Sequence, residues 1–95
     1  MGEQTLKQFT PPTDWSGKTF GQRVRERRTE LNITQEDLTL FMSHEGVEFS
    51  QSFLSQIEND RFDPNRIGVE KAMALCSALN MSFGNLFWGL QDQEK

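Results

Sequence analysis

Gln51, Ser52, Ser55, Gln56 and Asn59 bring uncharged hydrogen-bonding side chains close together in one short stretch of the chain. Leu54 and Ile57, lying among them, have the spacing of an inward helical face, so a helix starting near Ser50 leaves those polar residues on its outer side. Amides and hydroxyls of this kind read base edges or bind phosphate in a major groove. A helix that is merely solvated usually carries Lys and Glu there, although an ordinary polar surface remains the rival reading, because helix geometry does not itself imply a nucleic acid. A second constellation is Arg28, which falls between Val24 and Leu31 on an inward face, where an unpaired charge costs several kcal/mol. Glu58, next to Ile57, sits near an inward face too. The expected result is a partly buried ion pair holding the third helix against the first, the alternative being an exposed Arg28 with Arg27 in its sector.

Other chemistry finds little support. With one cysteine, Cys76, and one histidine, His44, there is neither a disulfide within the chain nor a zinc site of the Cys/His kind. Cys76 shares its spacing with Ala72, Leu75 and Leu79 and reads as core, and His44 as a surface loop residue. A glycine-rich phosphate loop and clustered carboxylates are both missing, so no enzymatic activity, cofactor or metal is expected. The first residues have no basic opening or apolar run fit for a signal peptide or membrane span, and a cytoplasmic protein is expected.

The elements that must position these residues are helical. At 95 residues the chain has room for one small domain. Residues 1–17, with Thr10-Pro11-Pro12-Thr13, read as an extended arm whose Trp15 lies back on the domain. Residues 18–90 form the domain and 91–95 a polar tail. Thr19 and Gln22 have capping-box spacing, and Phe20, Val24, Arg28 and Leu31 share a face. Thr34 with Asp37 opens a second helix that buries Leu38, Phe41 and Met42, with Ile33 stapled to Leu38. After a loop over 43–48, Ser50 caps the third helix and Phe49 staples to Leu54. Asp63-Pro64-Asn65 marks the next start. Val69, Met73, Cys76 and Leu79 show core spacing, and Asn80 suits a terminator. Ser82 caps a last turn, with Met81 stapled to Leu86. No strand-like alternation appears, so the expected class is all-α with five helices.

The run from Phe20 to Glu58, with Arg28, Thr34-Gln35-Glu36-Asp37-Leu38, Ser50-Gln51 and Ile57-Glu58-Asn59, resembles the lambda-repressor-like (Cro/phage-repressor) DNA-binding domains. Pro64 and Leu79-Asn80-Met81-Ser82 extend the resemblance over residues 18–88. It implies a helix-turn-helix and a double-stranded DNA partner, with a prokaryotic or phage origin. Gln35 would bind a phosphate and brace Gln51. Gln51, Ser52 and Gln56 would face bases, with Phe53 against a thymine methyl. Asn59 would hold a phosphate, joined by Ser50, Ser55, Arg61, Arg66 and Lys18, and Arg28 with Glu58 would be the structural ion pair. Two departures stand out. Asp60 occupies a position that is usually glycine, which implies an adjusted helix end. The connection from Met42 to Ser50 is also long, similar to the POU-specific domain, which has a comparable Phe-Ser-Gln start.

Net charge is −4, an argument against a phosphate-rich partner. From Lys18 to Lys71 there are eight Lys or Arg against ten Asp or Glu. Distribution matters more, since Lys18, Arg23, Arg25 and Arg27 cluster on the first helix and Arg61 and Arg66 follow the third. The expectation is modest non-specific affinity with a shallow salt dependence. A protein-binding module on the same fold, antitoxin-like or bridging, is the rival reading. One short recognition helix reads few base pairs, so a homodimer is expected, with Leu86, Phe87, Trp88 and Leu90 as its surface or, equally, as core closure.

Overall fold

In the computed structural model, which describes residues 17–87, every α-helix but α4 begins where a side chain takes an orphan backbone N–H. Thr19 opens α1 (Phe20–Glu30) with a full capping box, its hydroxyl accepting from the Gln22 amide at 3.1 Å while Gln22 Oε1 accepts from the Thr19 amide at 2.9 Å. Thr34 and Asp37 repeat the device at α2 (Gln35–His44), both bonds at 3.0 Å. Ser50 alone caps α3 (Gln51–Glu58), accepting from the Phe53 amide at 3.0 Å. A single 3-10 turn, Pro64–Arg66, is capped by Asp63 and precedes α4 (Val69–Leu79). Asn80, in the left-handed region at φ 53°, ends α4, and Ser82 starts the short α5 (Phe83–Phe87). The described residues are thus all-helical, with five α-helices and no strand.

α1 packs against α3, α4 and α5, and α2 lies against α3 and α4. Phe20, Val24, Leu38, Met42, Leu54, Ile57, Leu75, Leu79 and Leu86 fill the shared interior, and the long α2–α3 connection contributes Val47 and Phe49. Cys76 is buried among them as expected, and burial pushes its thiol up to about 11. None of the described helices is long and apolar enough to cross a membrane.

Several expectations need correction. Val69 and Met73 are 71% and 61% exposed, and Phe41 is exposed as well. The buried stripe of α4 runs instead through Ala72, Leu75, Cys76 and Leu79, a face turned from the expected one, and Ile67, just after the 3-10 turn, is buried ahead of it. Pro64 opens that separate turn and not α4 itself. Leu86 is fully buried, so it closes the core and offers no surface, while Phe87 is half-buried with its ring stacked on Phe83 at 4.4 Å and tilted against Phe20 at 5.0 Å. Trp15, Trp88, Leu90, the expected arm over 1–17 apart from Gly17, and the tail over 91–95 lie outside the described residues.

Arg23 is the largest correction, since it belongs to the interior and not to a surface cluster. Its Nε donates to the Lys18 carbonyl at 3.1 Å, and Nη1 donates to the Asn85 and Leu86 carbonyls at 3.4 and 3.2 Å. Those last two are among the carbonyls that a helix end leaves without an intrahelical donor. Nη2 has no hydrogen-bond partner among the described residues, and burial lowers the pKa of the group. Arg27 does the same for α4, donating to the Leu79 and Asn80 carbonyls at 2.9 and 3.2 Å. A cation at a helix C-terminus also meets the negative end of the helix dipole.

Candidate functional site

α3 separates its residues by chemistry because its period sends Leu54, Ile57 and Glu58 inward and leaves Gln51, Ser52, Gln56 and Asn59 exposed, with Ser55 half-buried. The α2–α3 connection leaves this face open. Gly46, at φ 81°, makes the turn, and the connection's apolar residues Val47 and Phe49 point into the core.

Glu58 is the support beneath that face. Its carboxylate is buried and receives a two-pronged contact from Arg28, Nε to Oε2 at 2.7 Å and Nη2 to Oε1 at 3.0 Å. Arg28 Nη1 donates onward to the Ile33 carbonyl at 3.0 Å, which fixes the α1–α2 turn. The hydrogen bond to Glu58 raises the Arg28 pKa against the opposing effect of burial. Gln35 then donates to Glu58 Oε1 at 3.1 Å and accepts from Gln51 Nε2 at 3.4 Å. An unbroken chain of directional contacts therefore runs from a buried ion pair to an exposed amide at the start of α3. A planar guanidinium opposite a carboxylate admits few orientations, so this chain sets the rotation of α3 about its axis.

At its other end α3 closes with paired backbone bonds, Arg61 N to Gln56 O at 2.8 Å and Asp60 N to Ile57 O at 3.0 Å. Asp60 takes the left-handed position at φ 59°, where glycine is usual and aspartate is among the better-tolerated alternatives. Its carboxylate offsets part of that strain by accepting from the Thr19 hydroxyl at 2.8 Å and the Gly21 amide at 3.2 Å. The expected adjustment at this helix end is thus a clamp between α3 and the first turn of α1. Gly21 permits it, for a Cβ there would run into the Ile57 carbonyl and stand 2.7 Å from Asp60 Oδ1.

Other expected contact residues are placed less uniformly. Phe53 is half-buried, its ring edge-on between Phe49 at 4.9 Å and Phe62 at 4.7 Å. That aromatic row walls an open groove beside α3, whose rim includes Arg66, Lys71, Glu48 and Glu70. Arg61 and Arg66 are exposed, and Ser50 is exposed while capping α3. Lys18 is paired with Glu26 at 2.7 Å. Asn59 donates to the Ser55 carbonyl at 2.9 Å and accepts from Arg25 at 3.1 Å. His44 is exposed at the end of α2, and among the described residues no group of three or more His, Cys, Asp or Glu side chains gathers as a metal site.

Sequence reasoning did not single out Gly21, the Asp60 clamp or the capping work of Arg23 and Arg27. Their partners lie far along the chain, so only Asp60 left a local trace, as a turn-tolerant residue at a helix end. Comparison with protein-family models, with curated proteins and with solved structures finds no match for this chain.

Proposed function

We propose that this chain is a sequence-specific, double-stranded DNA-binding transcriptional regulator of the lambda-repressor-like, helix-turn-helix kind, reading the major groove with α3. The observation that carries the reading is the exposed, uncharged Gln51, Ser52 and Gln56 face on a helix whose rotation is set from beneath by Gln35, Glu58 and Arg28. A glutamine amide can pair with the two groups on an adenine edge, and a serine hydroxyl can bond to any base edge. Gln35, Arg61 and Arg66 flank that face as phosphate contacts, and the modest number of free cations gives a shallow salt dependence. Two copies binding adjacent half-sites would supply the selectivity that one short helix lacks, with Phe87, Trp88 and Leu90 as the contact between them.

Selection of bound duplexes from random DNA tests the reading. Enrichment of a palindromic site is expected, and Gln51→Ala should then weaken binding to that site by about 1–3 kcal/mol while the melting temperature stays at its parental value. Failure to enrich any duplex, at low salt as well as high, would overturn the assignment.

A protein-interaction module on the same fold is the second reading, favoured by the exposed apolar side chains Val69, Met73 and Phe83 on α4 and α5. Under that reading, substitutions at Met73 and Phe83 abolish complex formation while Gln51→Ala has no effect.

A further inference from the structure

Asn59 is expected to hold a phosphate, but its side chain is already committed within the protein. Its amide donates to the Ser55 carbonyl at 2.9 Å and to the Ser55 hydroxyl at 3.4 Å, and its carbonyl oxygen accepts from Arg25 Nη2 at 3.1 Å. The amide nitrogen is therefore turned back along α3.

Arg25, one helix away, is disposed in the opposite sense. Its side chain is 53% exposed, and Nε lies 3.6 Å from Glu58 Oε1, beyond hydrogen-bonding distance. With one hydrogen of Nη2 given to Asn59, the other Nη2 hydrogen and both on Nη1 have no acceptor among the described residues. The Nη1 and Nη2 donors form one of the two guanidinium edges that can pair with two oxygens of a phosphate.

Charge favours the same occupant. Glu58 is a single carboxylate serving two arginines, and Arg28 takes both of its oxygens at 2.7 and 3.0 Å. Of the two arginines, Arg25 is the one whose charge stays at the surface. Asp60, the other acid at this end of α3, is turned to the Thr19 hydroxyl and the Gly21 amide. Arg61, also exposed, follows Asn59 by two residues and adds to the positive field.

We infer that Arg25 contacts a backbone phosphate of the duplex at the C-terminal end of α3, with Asn59 as the positioning residue that holds the guanidinium there. The inference rests on the DNA-binding reading above. It moves the phosphate contact from the recognition helix to the helix that supports it, so the same α1 that sets the rotation of α3 also fixes its distance from the DNA backbone.

The test uses the full chain and a synthetic duplex carrying the sequence recovered by selection. Arg25→Ala should reduce the slope of log affinity against log salt by about one. It should weaken matched and scrambled duplexes by the same factor, whereas Arg25→Lys keeps the slope. Replacing backbone phosphates one at a time with uncharged methylphosphonates should reveal a position that costs the parent and Arg25→Lys affinity but costs Arg25→Ala nothing. Asn59→Ala should still sense that position, more weakly than the parent. Arg25→Gln, which keeps a donor for Asn59 and removes the charge, repeats the comparison if the alanine variant does not fold. A parental slope and methylphosphonate profile in the charge-free variants would overturn the inference, as would a loss confined to the matched duplex, which would make Arg25 a base reader. Failure of the parent itself to bind any duplex would instead sink the DNA-binding reading.

Discussion

The two flanks of α3 are held in opposite ways. On the side of α1 and α2, Glu58, Arg28, Gln35 and Gln51 form a chain of hydrogen bonds between 2.7 and 3.4 Å. On the other side Phe53 lies edge-on to Phe49 and Phe62, with no polar partner for its ring. Hydrogen bonds and ion pairs weaken steeply when misaligned, whereas apolar contact is non-directional and scales with the area covered. The polar flank therefore decides how α3 is turned and the aromatic flank contributes to how firmly it is held. A helix that presents particular side chains needs the first property, and any packed helix needs the second.

Breaking the polar flank at its buried end should have the largest effect. Arg28→Ala leaves the buried Glu58 carboxylate with only Gln35 and the more distant Arg25 and should lower stability by about 3 kcal/mol, read as the midpoint shift in urea unfolding. Gly21→Ala attacks the same α1–α3 contact by steric means and should cost up to about 3 kcal/mol, because backbone and not a flexible side chain has to give way. On the aromatic flank Phe53→Ala should cost about 2 kcal/mol, less than for a fully buried ring, since Phe53 is only half covered. Its contrast with Arg28 is sharpest in exchange measurements, where Phe53→Ala should speed amide exchange along α3 without disturbing the order of Gln51. Gln35→Ala should be the mildest, about 1 kcal/mol, and should free the Gln51 side chain, visible as loss of a single rotamer by NMR. If Phe53→Ala, and not Gln35→Ala, were the variant that released Gln51, the division between the flanks would be wrong.

How much of this was legible follows from the separation of the partners. The caps at Thr19, Thr34, Ser50 and Ser82 join residues three apart, so their pattern was visible in the chain itself. The pairing of Arg28 with Glu58 was also readable despite their distance in sequence, because each sat on an inward face where a lone charge is costly. The fates of the other α1 arginines were not. Arg23, Arg25 and Arg27 have the same chemistry and alternate along one helix, yet one is buried under α5, one is half exposed beside Asn59 and one closes α4. Exposed carbonyls at the ends of α4 and α5 made that difference, and a carbonyl leaves no mark in a sequence. Val69 and Met73 misled for a related reason, since apolar spacing describes a face without saying what meets it.

Residue types and their intervals by themselves determined that this chain is helical, where every helix but α4 starts, which side of α3 is polar and which two opposite charges belong together. All of these depend on interactions within a few residues or on the cost of burying a charge, and both are properties of local pattern. The tertiary structure alone decided that Asp60 clamps onto Gly21, that the Gln35 bracing Gln51 is itself held by Glu58, and which arginines stay at the surface. Those outcomes depend on which backbone groups of distant helices come within about 3 Å, a distance set only once the helices have packed.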